Sequence, residues 1–552
     1  MTRQSDSRLL PVLSRLKIRN SITTALTWAV VIAFVWPVAR IFGEAFWHVD
    51  AEKFQHFAAH LFPKYAVNSV IVAAIGIITG VTVGFALAWT TFRYEFPLRK
   101  HFAWLAVLPF AMPAYVAAYA YVDFFQVTGP FLHSLRAWTA DSPMLSGLVQ
   151  ILMGFDVRNI VVCGLLFGFT AYPYCYLAAS TVLMRESGLL YDAASTLGAG
   201  EWRVVRRLAL PLTAPAVFMG SLFIGLEVLN DFGAVDHFAI DTFATGIYRT
   251  WSGSGDLQTA VLIATVFFLF AAAILWGERR FLGRKRLAQP RASAAVARRR
   301  LPPLSASLAV CACSVPVVFG FLLPVAILVG YALGDAGVFS RDGVARSFGE
   351  FAVPLLQMAA NSSAVAVTVA IVSGLIALVV LQMDGRARWV VTLGYAMPGA
   401  FVAVALMHSL PIGLGLLTML VLALTIRFVS ISLQDLKALS TKIPENLTAA
   451  AQTLGASPQR VFFRVQLPLL RPALVSGALL VFTDALKELP ATMVLRPFDF
   501  PVLTVHIHNF ASDERLGAAA PAALILVMMC VPGALFVFRS FGKFALTGKS
   551  DG

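Results

Sequence analysis

Apolar residues occur along this chain in long runs, separated by short segments rich in Arg, Lys, Asp and Pro. A helix that crosses the ~30 Å hydrocarbon core of a bilayer needs about 20 apolar residues. The pattern predicts an all-α, polytopic transmembrane protein with about twelve spans in two six-helix halves, and a re-entrant or surface helix at 144–155. The predicted spans are 22–43, 65–91, 102–124, 159–184, 212–232, 257–277, 304–333, 357–383, 388–410, 412–433, 470–490 and 516–539.

The composition supports a lipid-embedded chain. Hydrophobic residues make up 59% of the 552 positions and charged residues 13%, whereas soluble domains have about 45–50% and about 25%. A water-soluble protein with these proportions would lack enough polar groups to cover its surface. Intrinsic disorder requires the opposite composition. An outer-membrane barrel would show short alternating segments where this chain has continuous apolar runs.

The basic residues indicate the orientation of the spans. The formal net charge is +14, and Lys and Arg concentrate in cytoplasmic loops of membrane proteins. If the N-terminus is cytoplasmic, the inside loops of the first half contain more Lys and Arg than its outside loops. Twelve spans then return the C-terminus to the cytoplasm. We therefore predict a cytoplasmic tail at 1–21, a first half at 22–277, a basic cytoplasmic linker at 278–303, a second half at 304–539 and a cytoplasmic tail at 540–552.

The two halves share sequence patterns that indicate a duplication. Asn-Ser at 68–69 recurs at 361–362, and Met-Pro at 112–113 recurs at 397–398. A longer pattern at 191–215 recurs at 448–472, shifted by 257 positions, with Thr-Leu-Gly-Ala in both copies and the proline of a Leu-Pro pair 13 residues after each glycine. Two loops with identical spacing point to a shared role.

Each copy of this pattern is predicted to be a helix–turn–helix on the cytoplasmic side. A short helix, 191–197 or 445–454, ends at Gly198 or Gly455, because glycine accepts the left-handed backbone that closes a helix. An amphipathic piece with arginines follows. The Leu-Pro pair then begins the next span, since proline fits the first turn of a helix.

The pattern resembles the EAA loop of bacterial ABC-importer permeases, and the chain resembles members with two permease units fused in one polypeptide. The resemblance implies that the loops at 188–210 and 445–467 are coupling helices that dock on a separate ATP-binding subunit. Ala449 replaces the acidic residue in the second copy, and Glu445 is the nearest substitute on that helix. The docking residues are predicted to be Asp192, Ala193, Ala194, Gly198, Arg203, Arg207, Glu445, Ala450, Ala451, Gly455, Arg460 and Arg464.

The same resemblance implies the partners: two copies of a cytoplasmic ATP-binding subunit, a periplasmic substrate-binding protein and membrane lipid, with no nucleic acid. A phosphate-binding loop requires G-x-x-x-x-G-K-[ST] between a strand and a helix, and we find none. ATP and Mg are therefore assigned to the partner, and no cofactor is expected in this chain. Without a nucleophile–base arrangement, the chain is predicted to be a transport subunit rather than an enzyme.

Acidic residues within the spans are candidates for the translocation pathway. The shift of 257 aligns Glu227 with Asp484 and Asp231 with Glu488. Each half has its two carboxylates at i and i+4, which places them on one helix face, and intramembrane charges usually face a cavity. The four are candidate metal ligands at one pore mouth. The alternative is that they mark helix ends among the outer headgroups, with Lys487 neutralising its neighbours.

Three further segments, 230–238, 247–256 and 487–497, resemble ferric-iron permeases, which makes ferric iron the expected cargo. Fused permeases for thiamine or phosphonate share parts of these segments and remain alternatives. An ion-gradient-driven secondary transporter also has two six-span halves. An integral membrane enzyme would have to use the four carboxylates as its catalytic cluster.

The histidines and cysteines are assigned structural or surface roles. His506 and His508 are expected in an outer loop, where they and the scattered His48, His56 and His60 are solvated or meet a binding protein. The five cysteines lack the paired spacing of a zinc site and are interpreted as small apolar residues.

Overall fold

The computed structural model describes residues 51–139, 153–185, 188–282, 298–333, 343–382, 391–441 and 445–546, with single positions or short pieces between 28 and 47, between 141 and 150, and at 388 and 443. Most of these residues are helical. Within this part of the chain the strands are β1 (Tyr94–Glu95) and β2 (Arg299–Arg300), which pair in parallel. The predicted all-α, polytopic fold is confirmed.

The helices carry the following labels. They are α1 (Ala51–His56), α2 (Phe62–Arg93), α3 (Arg99–Leu105), α4 (Ala114–Phe125), α5 (Pro130–Thr139), α6 (Ile160–Arg185), α7 (Gly188–Thr196), α8 (Glu201–Val204), α9 (Leu210–Asn230), α10 (Gly233–His237), α11 (Phe243–Ser254), α12 (Leu257–Leu282), α13 (Pro303–Val317), α14 (Leu323–Leu333), α15 (Gly343–Leu381), α16 (Gly399–Ser409), α17 (Leu416–Ser440), α18 (Glu445–Thr453), α19 (Pro458–Val461), α20 (Leu467–Lys487), α21 (Pro490–Leu495), α22 (Leu503–Ser512) and α23 (Leu516–Leu546).

Among the described residues, eight helices are long and apolar enough to cross a membrane, and a bent pair would make nine. The predicted span 257–277 lies within α12 (Leu257–Leu282), and the predicted span 388–410 contains the shorter apolar helix Gly399–Ser409. Half of the predicted first span, 22–43, lies outside the described residues, as do most of the two tails and of the linker. The count of twelve spans therefore stays a prediction.

The Met-Pro pairs interrupt a predicted span in each half. Proline disfavours a helical conformation of the residue before it, and both methionines are extended, Met112 with φ −88° and ψ 114° and Met397 with φ −83° and ψ 134°. Each follows a 3₁₀ turn and precedes a new helix. The helices on the two sides of Met112 differ in direction by 88°, so the predicted span 102–124 consists of two helices, and its crossing of the membrane stays a prediction.

The helices form two compact units. The larger unit contains Asp50–Ala359 and Val502–Gly552, and the smaller contains Met1–Val49 and Ala360–Pro501. The last two helices, α22 and α23, thus belong to the larger unit with the helices of the first half. These units reflect spatial contact rather than the sequence repeat, so the predicted boundaries of the halves remain predictions.

The repeat is visible in the packing of each unit. In the larger unit, a Cβ added at Gly220 of α9 would lie 2.8 Å from the Cα of Cys175 on α6. In the smaller unit, a Cβ at Gly477 of α20 would lie 2.8 Å from the Cα of Ser432 on α17. Both pairs are related by the shift of 257. Small residues allow membrane helices to approach this closely, so the same helix crossing occurs once in each unit.

The recurring asparagine also makes the same bond in both units. The side-chain amide of Asn68 donates to the carbonyl of Asp241 at 2.9 Å, and that of Asn361 donates to the carbonyl of Pro501 at 2.9 Å. Each carbonyl belongs to the residue just before the N-cap of a short helix, α11 or α22. The weak Asn-Ser repeat thus has a structural role, because it ties a long helix to the connection that follows the carboxylates.

Candidate functional site

The turns at Gly198 and Gly455 have the same geometry. Both glycines have φ +78°. In the first copy the amide of Ala199 donates to the carbonyl of Ala194 at 3.0 Å, and in the second that of Ala456 donates to Ala451 at 3.1 Å. This bond across the left-handed residue closes the end of a helix. The prediction that each short helix ends at the glycine is confirmed.

The α-helices α9 and α20 begin at the Leu-Pro pairs, with proline in the first turn as predicted, but helical backbone already precedes each pair. Continuous helices run through both pairs, over Glu201–Asn230 and Gln459–Lys487. A π-helical turn precedes each pair, Val205–Ala209 in the first copy and Phe462–Gln466 in the second. Proline has no N–H to donate and its ring crowds the preceding turn. The wide turn accommodates the ring, so the helix continues.

The described docking residues face outward. Ala193 and Ala450 are exposed, Ala194 and Ala451 are half-buried, and the four arginines Arg203, Arg207, Arg460 and Arg464 are exposed. The side chains of Asp192 and Glu445 lie outside the described part of the chain. The docking role of these residues stays a prediction.

Sequence reasoning missed the most exposed apolar residues of the loops. Leu197 and Leu454, each directly before the turn glycine, are both 87% exposed. The signal was present in the aligned Thr-Leu-Gly-Ala strings. These two leucines therefore protrude at matched positions of the repeat, beside the predicted docking residues.

In the larger unit, Asp231 lies just beyond the end of α9. Its backbone is extended, with φ −74° and ψ 128°, and its Oδ1 accepts a hydrogen bond from the amide of Ala234 at 2.7 Å. Burial raises the pKa of the Asp231 carboxyl to about 7. The carboxylate therefore caps the following helix, α10. The amide of Asp231 still donates to the carbonyl of Glu227 at 3.1 Å, so the two residues lie one helical turn apart, as predicted, although α9 ends at Asn230.

In the smaller unit, Glu488 makes a more extensive set of bonds. Its backbone is also extended, beyond the end of α20. Its Oε1 accepts from Arg427 at 2.7 Å and from the amide of Ala491 at 3.0 Å, and its Oε2 accepts from the amide of Thr492 at 3.1 Å. The Arg427 and Glu488 side chains are 8% and 2% exposed. Glu488 is thus a buried ion-pair partner and a helix cap.

This buried ion pair was missed because its basic member lies on another helix. Arg427 belongs to α17, and the shift of 257 aligns it with Thr170, so the first half has no counterpart. A Cβ at Gly399 would collide with Glu488 Oε1. The close approach of Glu488 therefore requires glycine at 399.

The fourth carboxylate, Asp484, forms an ion pair with Lys487 at 3.0 Å. This contact agrees with the alternative in which Lys487 neutralises a neighbour. The two carboxylate pairs lie in different units, so their meeting at one pore mouth stays a prediction. Among the described residues, no three His, Cys, Asp or Glu side chains are placed to hold a metal ion.

The two closely spaced histidines lie in helix α22, not in an outer loop as predicted. His508 is buried, and its Nδ1 is 2.6 Å from the hydroxyl of Tyr119 on α4. His237 of α10 packs against Tyr119 with ring centroids 4.7 Å apart. Burial lowers the pKa of His237 to about 4. His237 and His508 therefore serve as packing and hydrogen-bonding groups within the larger unit.

The remaining histidines have surface positions where the structure describes them. His56 and His60 are exposed, and their rings stack with centroids 4.8 Å apart. His48 lies outside the described residues.

Comparison with known proteins identifies the class of transporter. Residues 366–540 match the family described as "Binding-protein-dependent transport system inner membrane component". This segment, which includes the second loop, is a domain of that family. The chain is thus an ABC-type, multi-pass inner-membrane permease of binding-protein-dependent transport.

Three relatives bear on the cargo. The permease is 25% identical over 485 residues to an Fe(3+)-transport system permease protein of Haemophilus influenzae. The aligned region covers 84% of this chain and 87% of that protein. It is 24% identical over 385 residues to a ferric transport system permease protein of Actinobacillus pleuropneumoniae, covering 65% and 56%. It is 27% identical over 210 residues to a sulfate transport system permease protein of Escherichia coli, covering 38% and 65%.

Proposed function

We propose that the chain is the membrane permease of an ATP-driven importer of ferric iron. A periplasmic binding protein delivers the ion, and two copies of a cytoplasmic ATPase dock on the loops at 188–210 and 445–467 and bind ATP and Mg. The observation that carries this proposal is the matched pair of glycine-closed turns with protruding Leu197 and Leu454. The similarity to ferric permeases extends over most of the chain and supports iron as the cargo.

The loops have the form that mechanical coupling requires. Each short helix leads through its turn into a long continuous helix, Glu201–Asn230 or Gln459–Lys487. A partner that moves the loop therefore moves a helix that reaches deep into its unit. ATP shifts the permease between outward- and inward-facing states only if the ATPase contacts the loops differently in the two states. Both termini and the linker are assigned to the cytoplasm.

Sulfate is the second candidate cargo. The sulfate permease is similar over a shorter segment, and among the described residues no three His, Cys, Asp or Glu side chains are placed to hold a metal ion. Asp231, Asp484 and Glu488 then act as helix caps and ion-pair partners. A sulfate ion would then use the same pathway, and the same loops would couple its transport to ATP.

Reconstitution of the permease with its ATPase and binding protein in vesicles tests both questions. Iron-55 supplied as a soluble ferric complex should enter only with ATP and the binding protein, while sulfur-35 sulfate should not. Sulfate uptake without iron uptake would replace the cargo and retain the class. Uptake of either ion without the ATPase, driven by an ion gradient, would overturn the class as well.

A further inference from the structure

The first docking loop is attached to the end of helix α2 by a buried aromatic side chain. Tyr191, within α7, is fully buried. Its ring centroid lies 5.6 Å from that of Trp89 and 5.7 Å from that of Phe92, with edge-on geometry at both. Aromatic pairs in this arrangement stabilise beyond the area they bury. The helix that carries the docking residues is therefore packed onto the last turns of α2.

Two polar anchors lie on the same side of the loop. The guanidinium of Arg93, the last residue of α2, donates to Ser195 Oγ at 3.1 Å. Beyond the turn, Glu201 Oε2 accepts from the hydroxyl of Tyr94 at 3.1 Å, and its Oε1 accepts from Arg299 at 3.0 Å. Each of these bonds joins one side of the turn to residues outside the loop.

The partners of Glu201 are themselves held together. Tyr94 and Arg299 are opposite one another in the parallel pair of β1 and β2, and the amide of Leu301 donates to the carbonyl of Glu95 at 3.3 Å. The end of the linker, the end of α2 and the first docking loop thus form one connected structure on the same side of the larger unit.

The second loop has different residues at all three anchor positions. The shift of 257 places Thr448 where the first loop has Tyr191, Gln452 where it has Ser195, and Pro458 where it has Glu201. Threonine has no aromatic ring and proline has no side-chain acceptor. The turn itself is the same in both loops, so the difference lies only in how each loop is attached.

We propose that the two docking loops are unequal: Tyr191, Ser195 and Glu201 fix the first loop to helix α2 and to the linker, and the second loop has none of these three residues at the aligned positions. The ATPase then meets a preformed surface at the first loop and an adaptable one at the second. A preformed surface loses less conformational entropy on binding. Displacement of the first loop is also transmitted directly to α2.

The effect of the attachment on coupling rests on the proposed docking role of the loops. The attachment itself can be tested by hydrogen exchange without cargo or ATPase. In the purified full-length chain, amides of 188–204 should exchange at least tenfold more slowly than those of 445–461. The triple variant Tyr191→Thr, Ser195→Gln and Glu201→Pro, which installs the residues of the second loop, should remove most of that difference. Equal exchange of the two loops in the unaltered chain would overturn the proposal.

The charge pair provides a readout that a folding defect would not mimic. In the reconstituted complex, Glu201→Arg or Arg299→Glu alone should lower the amount of cargo moved per ATP hydrolysed at least threefold. The double variant with both changes restores opposite charges and should recover most of the loss. Arg300→Ala, one residue along the linker, is the matched control and should leave the ratio unchanged. Single variants with normal coupling, or a double variant without recovery, would contradict the role of Glu201.

Discussion

The matched turns allow a backbone effect to be separated from a steric one. Gly198 and Gly455 have φ +78°, and a Cβ added at either would find no atom within 4 Å. A Cβ placed at either position therefore meets no neighbour, and the cost of a small side chain comes mainly from the backbone conformation. For an L-residue the left-handed conformation costs about 1–2 kcal/mol, and a β-branched residue is the least tolerant.

Gly198→Val should therefore weaken binding of the ATPase by about 5–30-fold, the factor that corresponds to about 1–2 kcal/mol. The relevant assay measures the affinity of the purified ATPase for the detergent-solubilised permease. Gly198→Asn should be much milder, because asparagine accepts the left-handed region. Gly455→Val and Gly455→Asn should behave in the same order in the second loop.

Gly200 provides the control. It lies two residues further along the same loop with φ −63°, and a Cβ there also has no atom within 4 Å. Gly200→Val should leave the affinity nearly unchanged. If Val and Asn at position 198 were equally harmful, or if Gly200→Val were as harmful as Gly198→Val, the left-handed turn would not explain the requirement for glycine.

Three further outcomes follow from the sites. Glu488→Gln should cost about 3–5 kcal/mol of stability, because it leaves the Arg427 cation buried without its partner. The unfolding temperature should fall clearly, and replacement of both residues by Met should largely restore it. A Glu488→Gln variant as stable as the parent would refute the buried pair. Asp231→Asn should stabilise the permease more at pH 8 than at pH 5, since a carboxyl with a raised pKa destabilises the fold as it ionises with rising pH; an equal effect at both pH values would contradict this. Leu197→Ser and Leu454→Ser should each weaken ATPase binding about tenfold or more, because burial of a leucine contributes about 1.5–3 kcal/mol. A pull-down titration measures this affinity. An unchanged affinity would show that these residues are not part of the docking surface.

The sequence by itself determined the class of fold and the position of the loops. Apolar runs of membrane-spanning length specify helices because a bilayer offers the backbone no other hydrogen-bond partner. The ends at Gly198 and Gly455 were predictable for a similarly local reason, since the left-handed conformation selects glycine regardless of surroundings. A repeat at constant spacing then located both loops without any knowledge of their contacts.

Only the tertiary structure decided what the acidic residues do and how the loops are held. The i, i+4 spacing placed Asp231 one helical turn after Glu227, but it did not reveal that the Asp231 carboxyl accepts a hydrogen bond from the next helix. Arg427 lies 61 positions from Glu488, so no local pattern relates the two. The attachment of Tyr191 likewise depends on helix α2, about a hundred residues earlier. Long-range contacts of this kind arise from packing, which the order of residues along the chain does not reveal.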